Sequence, residues 1–89
     1  MLEKKVIVIT GGAGLLGIEF CKSVAKNNGI AIIADIDENK ASQISKKLSK
    51  NLKKEIDYIF LDITSKESIN QAITKIYKKY SRIDAVVNN

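Results

Sequence analysis

Residues 6–17, Val6-Ile-Val-Ile-Thr10-Gly-Gly-Ala-Gly-Leu-Leu-Gly17, constrain this chain more than any other stretch. Val6 to Ile9 are four consecutive β-branched residues, apolar on both faces of an extended strand. Such a strand suits the centre of a parallel sheet covered on two sides. A glycine-rich turn follows at once, and an apolar helical pattern follows the turn.

Each glycine has a physical reading. Gly11 opens backbone angles closed to other residues, so the chain can leave the strand sharply. Gly14 carries no side chain, which leaves its backbone open to a phosphate group. Gly17 lets the helix pack close against the strand. A helix N-terminus presents free N–H groups and about half a positive charge, which suits a pyrophosphate. The order strand, glycine turn, helix is the first unit of a dinucleotide-binding fold. A ligand-free connector is the bland alternative.

The same alternation runs through the rest of the chain. The first strand is expected over residues 4–10 and the first helix over 15–28. Leu16, Phe20 and Val24 form its apolar stripe, with Cys21 and Ala25 beside them. Gly29 is the expected left-handed cap. A second strand spans 30–35, and Asp37 is a plausible N-cap for a helix over 38–50 striped by Ala41, Ile44 and Leu48. A third strand spans 56–61. Thr64-Ser-Lys-Glu67 reads as a capping box for a third helix, with Ile69, Ile73, Ile76 and Tyr80 on its apolar face. Tyr77 and Tyr80 read as packing residues of that helix. A fourth strand spans 83–89.

This pattern predicts an α/β chain: a partial Rossmann, doubly wound parallel sheet of four strands in order 3-2-1-4 with three helices. The first two helices should cover one face and the third part of the other. At 89 residues the chain is shorter than a usual α/β domain. Residues 1–89 therefore read as the N-terminal part of an incomplete NAD(P)-binding domain. Its fourth strand would be an open edge. Each exposed Val or Ile forfeits roughly 1.5–3 kcal/mol of burial, so the isolated chain is expected to be marginal or aggregation-prone.

Composition excludes several functions. The net charge is +5, with fourteen lysines and one arginine, but the lysines are scattered and aromatics are few. A solvated basic surface fits better than a nucleic-acid interface. The one cysteine, Cys21, allows no internal disulfide and suits a reducing compartment. No histidine is present, which removes a Ser-His-Asp triad and a His-bound metal. No signal peptide or long apolar run appears, so a cytoplasmic protein without membrane contact is expected.

Four positions carry candidate chemistry. Asp35, at the carboxyl end of the second strand, can accept hydrogen bonds from both adenosine ribose hydroxyls. It would repel a 2′-phosphate, which favours NAD over NADP. Asp62 ends the third strand, where it either meets an adenine amino group or faces water. Asn88 and Asn89 end the fourth, as parts of an inner-ribose site or of an ordinary turn.

Together, Thr10-Gly11, Gly14, Gly17, Asp35, Asp62-Ile63-Thr64 and Ile83-Asp-Ala-Val-Val-Asn-Asn89 resemble the short-chain dehydrogenase/reductase family. The resemblance covers the whole chain. It implies that Gly11, Gly14, Leu15, Leu16 and Gly17 hold the pyrophosphate, Asp35 the adenosine ribose, and Asp62 and Ile63 the adenine. Asn88 and Asn89 would lie near the nicotinamide side. One departure is the middle glycine, which falls at Gly14 while Leu15 takes its usual place. That spacing also occurs in the branch containing sugar-nucleotide epimerases, whereas Val86-Val87-Asn88-Asn89 matches the branch with an Asn-Asn-Ala-Gly segment. Members with Gly-Gly-Ala-Gly-Leu-Leu-Gly loops include proteins linked to bacterial surface-sugar or flagellin-glycan synthesis.

The family's catalytic serine, tyrosine and lysine have no counterpart here: the position four after Tyr77 is Ser81. The expected role is therefore cofactor binding within a longer oxidoreductase that moves hydride between nicotinamide and a hydroxyl or carbonyl substrate, with a sugar or sugar nucleotide as one expected class. The small-molecule substrate would bind only in the complete enzyme, itself a possible homo-oligomer. Such a cofactor-binding portion would come from a truncated, split or incompletely recorded gene. The alternative is a non-catalytic nucleotide-binding module or an inactive fragment completed by another chain.

Overall fold

The computed structural model describes residues 2–89. Seven elements alternate: β1 (Val6–Thr10), α1 (Leu15–Lys26), β2 (Ile30–Asp35), α2 (Glu38–Leu52), β3 (Ile56–Phe60), α3 (Lys66–Tyr80) and β4 (Ala85–Asn88). All strand pairs are parallel, in the order β3-β2-β1-β4. The expected fold class and strand order are thus the observed ones.

β1 is central because its residues tolerate burial on both faces. Val6 and Ile9 are fully buried, and Ile7 and Val8 nearly so. Ile7 and Ile9 join β2, α1 and α2 in one core with Cys21, Val24, Ala25, Ile33, Ala41 and Leu48. Val6 and Val8 face the other way, into a second core with Ile32, Ile59, Ala72 and Ile76 under α3. The period-two alternation of a strand sorts these side chains. The register aligns Thr10 with Ala34 on one side and Asn88 on the other. The carboxyl ends of the inner strands therefore form one rim.

The edges are less buried. β4 pairs on one side only, and Val86 is 58% exposed. The start of β4 is fixed by Asp84, whose Oδ2 accepts the Val6 N–H at 2.8 Å while its own N–H donates to the Val6 carbonyl at 2.9 Å. Arg82 grips the same carboxylate through Nε at 2.7 Å and Nη2 at 2.6 Å.

Several local expectations are corrected. The buried face of α1 is Gly17, Cys21, Val24 and Ala25, not a Leu16–Phe20–Val24 stripe; Leu16 is 60% exposed and Phe20 37%. Small residues face inward because α1 lies close to the sheet and the glycine turn, where Leu16 and Phe20 would not fit. β1 starts at Val6 rather than at 4, since Lys4 takes φ 58° in a turn closed by the Lys5 N–H to Leu2 carbonyl bond. α1 ends at Lys26, and Asn28, not Gly29, takes the left-handed angle, φ 67°. Gly29 serves packing instead, because an added Cβ would lie 2.8 Å from Val24 Cγ1. Helix α3 is capped by Ser65, which accepts the Ser68 N–H, rather than by Thr64. Ile73 and Tyr77 of that helix are exposed, and Ser68, Ala72 and Ile76 take the inner face.

Candidate functional site

The site forms on the rim at the carboxyl ends of the strands, around the end of β1. In open α/β sheets ligands bind in a crevice outside these strand ends. A cleft of about 260 Å³ lies there, lined by residues that include Gly11, Asp35, Ile36, Asp62, Ile63 and Asn89.

Its floor is the glycine turn. Gly11 adopts φ 62°, the left-handed region, so the chain reverses directly after Thr10. Its carbonyl accepts the Gly14 N–H at 3.1 Å and the Asn89 side-chain amide at 3.3 Å. A Cβ on Gly14 would meet only the Gly11 carbonyl, at 3.4 Å, so the outer side of that residue is open. Gly14 also begins α1 without a side-chain cap, and its carbonyl takes the first helical bond from Ile18. The N–H groups of Leu15, Leu16 and Gly17 lie in the first turn, where a helix supplies no acceptor.

Gly17 has a different duty from the one its place in the sequence implies. A Cβ there would fall 2.6 Å from both the Gly11 carbonyl oxygen and Gly12 Cα. At Gly17, helix α1 thus meets the turn rather than the strand. Gly12 is likewise confined: an added Cβ would meet the Ile9 carbonyl at 2.8 Å and Ile33 Cγ2 at 2.9 Å. No role was expected for Gly12, because one of two adjacent glycines suffices for a sharp turn.

Asp35 stands at the end of β2 with both oxygens engaged. Oδ2 accepts the Ala13 N–H at 3.1 Å, and Oδ1 accepts the Asp37 N–H at 3.0 Å. Each carboxylate oxygen has two lone-pair sites, so each retains one acceptor position. Asp37 caps α2 by accepting the Lys40 N–H, as its place before the helix predicts.

Asp62 lies past the end of β3 in a tight local turn. Its Oδ1 accepts both the Thr64 hydroxyl at 2.7 Å and the Thr64 N–H at 3.0 Å. These two bonds, the hydroxyl first, hold its carboxyl below the usual range. Thr64 is thereby spent on this turn, which is why Ser65 does the capping. Ile63 and Ile36 are 65% and 63% exposed, giving the cleft two apolar flanks.

Thr10 joins the halves of the rim, a role the sequence did not announce beyond placing a threonine before Gly11. Its hydroxyl accepts the Asn89 N–H at 3.1 Å. Its one proton faces both Asn88 Oδ1 at 3.1 Å and the Val87 carbonyl at 3.2 Å. Asn88 and Asn89 are therefore held against β1 and Gly11. Gly11, Asp35, Asp62, Ile63 and Asn89 share the cleft, while Leu15 and Leu16 are exposed at the start of α1. Among the described residues, no group of three or more Cys, Asp or Glu side chains is placed to hold a metal. No helix among them is long and apolar enough to cross a membrane.

A dinucleotide fits the chemistry of this donor set. The open backbone at Gly14 and the unpaired first-turn amides suit phosphate oxygens, and Asp35 suits hydroxyl donors. Comparison with known proteins agrees on the family. Residues 5–89 match the profile of the short chain dehydrogenase family. The chain is 48% identical over 89 residues to post-translational flagellin modification protein A of Campylobacter coli, spanning all of this chain and 35% of that protein. It is 34% identical over 87 residues to the 7alpha-hydroxysteroid dehydrogenase of Bacteroides fragilis, spanning 98% and 33%. Among solved structures, a short chain dehydrogenase from Mycobacterium smegmatis superposes with a TM-score of 0.90 at 26% identity, covering 99% of this chain and 37% of that one.

The chain belongs to the short-chain dehydrogenase family, whose cofactors are the nicotinamide dinucleotides NAD and NADP. It spans about a third of the length of the curated relatives it matches.

Proposed function

We propose that this chain is the cofactor-binding part of a short-chain oxidoreductase and that it prefers NAD. Gly11, Gly14, Leu15, Leu16 and Gly17 hold the pyrophosphate on open backbone and first-turn amides. Asp35 holds the adenosine ribose. Asp62 and Ile63 flank the adenine, with Ile36 as a second apolar wall. Asn88 and Asn89 border the nicotinamide side. When bound, the nicotinamide takes or gives the hydride, and this chain binds and orients it. The catalytic serine, tyrosine and lysine of the family fall outside these residues.

The observation that carries the NAD reading is the Asp35 carboxylate, set beside the cleft with one acceptor position left on each oxygen. A 2′-phosphate there would face a like charge. The resemblance of the Gly-Gly-Ala-Gly-Leu-Leu-Gly loop to members linked to surface-sugar synthesis favours a sugar or sugar-nucleotide hydroxyl as the substrate class in the complete enzyme. A cytoplasmic setting agrees with a single buried thiol and the absence of disulfides.

Titration calorimetry with NAD and NADP, on the chain and on Asp35→Ala, tests this. Saturable NAD binding that weakens about tenfold or more in the variant, with NADP weaker in the unaltered chain, is expected. A folded chain that binds neither dinucleotide rejects the reading.

A second reading is favoured by one feature. An apolar hollow of about 210 Å³ lies between α3 and the sheet, lined by residues including Val8, Ile59, Ile69, Ala72 and Val86. Under this reading another polypeptide covers it and completes the fold. Sedimentation of the pure chain as a well-folded, non-associating monomer with a sharp melt would count against the need for one.

A further inference from the structure

The mutual arrangement of Asp35 and the glycine turn points to a second duty for that aspartate. Of the amides in the turn, Gly14 N–H is bonded within the turn, to Gly11. Gly12 N–H reaches the Ala34 carbonyl only at 3.4 Å. Ala13 N–H bonds to a side chain 22 residues away, Asp35 Oδ2, at 3.1 Å. Ala13 itself is 2% exposed, so this amide has little access to water as a substitute partner. The other Asp35 oxygen is fixed by the Asp37 N–H, which stops the carboxylate from rotating away.

We propose that Asp35 is a positioning residue for the phosphate-binding turn, holding Ala13 N–H and so fixing the turn's shape before any cofactor arrives. One side chain then both builds the pyrophosphate cradle and reads the ribose. The functional consequence rests on the cofactor reading above; the structural part does not. It follows that removing Asp35 to admit a 2′-phosphate also loosens the cradle. Ribose choice and phosphate affinity are coupled through a single carboxylate.

The first test is amide hydrogen exchange by NMR on the cofactor-free 89-residue chain. Ala13 N–H is expected to exchange at least about tenfold more slowly than the first-turn amides of Leu15 and Leu16. In Asp35→Ala its exchange should rise about tenfold or more while Ile33 N–H, deep in the sheet, stays unchanged. Asp35→Asn, which keeps one acceptor oxygen, should fall between the two. Ala13 exchanging as fast as Leu15 in the unaltered chain overturns the proposal. So does an Ala13 rate that neither variant changes. If Asp35→Ala also accelerates Ile33, the Asp35→Asn comparison decides.

The second test uses an NAD analogue lacking both hydroxyls of the adenosine ribose, which has nothing to donate to Asp35. Its affinity should still drop severalfold in Asp35→Ala. An equal or tighter fit in the variant would mean that Asp35 acts on the ribose alone. Slow Ala13 exchange without any NAD binding would keep the structural role and reject the cofactor reading, so the two failures are separable.

Discussion

The Tyr80 hydroxyl lies 2.8 Å from Asp57 Oδ2 and ties the last turn of α3 to the outer strand β3. The same hydroxyl is 3.0 Å from Glu55 Oε2, so one proton serves two carboxylates. Lys79 adds its Nζ at 2.7 Å to the same Asp57 oxygen. Burial and then Asp57 push the Tyr80 hydroxyl far above its ordinary range. It therefore stays a donor at any ordinary pH.

Tyr80→Phe removes that donor while keeping the ring in the second core. Stability should fall by about 0.5–1.5 kcal/mol, the usual net worth of one such bond. Urea denaturation at neutral pH measures it. An unchanged midpoint would show that Lys79 and the Tyr58 N–H suffice for Asp57.

Acid should destabilise the fold through three aspartates. Burial works to raise the Asp57 carboxyl, but bonds from Lys79, Tyr58 N–H and Tyr80 outweigh it and hold it below its ordinary 3.8. Asp84 is held low by Arg82 and then by Val6 N–H. Asp62 is held low by Thr64. A depressed carboxyl contributes stability above its unfolded value and loses it as pH falls through the folded one. The loss should therefore begin near pH 4 and deepen below it. Urea midpoints taken down this range should fall, and Asp84→Asn should flatten the slope. Parallel slopes in both proteins would remove Asp84 from this account.

Gly17→Ala should be severe for a residue so small. Its Cβ would sit 2.6 Å from two backbone atoms of the turn, which cannot swing aside as a side chain does. A cost of about 1–3 kcal/mol is expected, with loss of dinucleotide binding as α1 lifts from the turn. Calorimetric titration checks the second point, and unchanged NAD affinity would disprove it.

Cys21 should be silent towards thiol reagents in the native chain. It is fully buried, and burial pushes its thiol up to about 12. Reaction then requires opening of the core between α1 and the sheet. Labelling that follows the global unfolding rate is expected. Rapid native labelling would show that α1 detaches by itself.

Fold class and strand order were legible because β-branched runs and helical periods alternate without interruption. The helix faces were less legible. Hydrophobicity ranks Leu16 and Phe20 above Gly17 and Cys21, but a helix lying this close to a sheet selects inward residues by size. The N-cap of α3 was misplaced for a local reason, whereas that of α2, Asp37, was not. Thr64 and Ser65 are both good caps, and only the side-chain bond to Asp62 decides between them. The left-handed angle at Asn28 rather than Gly29 has the same character, since either residue tolerates it. At the cleft, Asp35 was visible from its spacing, whereas its bond to Ala13 N–H was not. That bond depends on how the turn folds back over β2.

The strand order also fixes a timetable for synthesis. β2 emerges and finds β1 waiting, β3 finds β2, and β4 returns to the free side of β1. After the first strand, none must wait for a partner that the ribosome has yet to make. Each later strand thus finds a partner as it emerges, while the free side of β1 stays an exposed edge until β4 is made. The rim at the carboxyl ends of β1 and β2 can thus be laid down early, on a sheet that grows outward from β1.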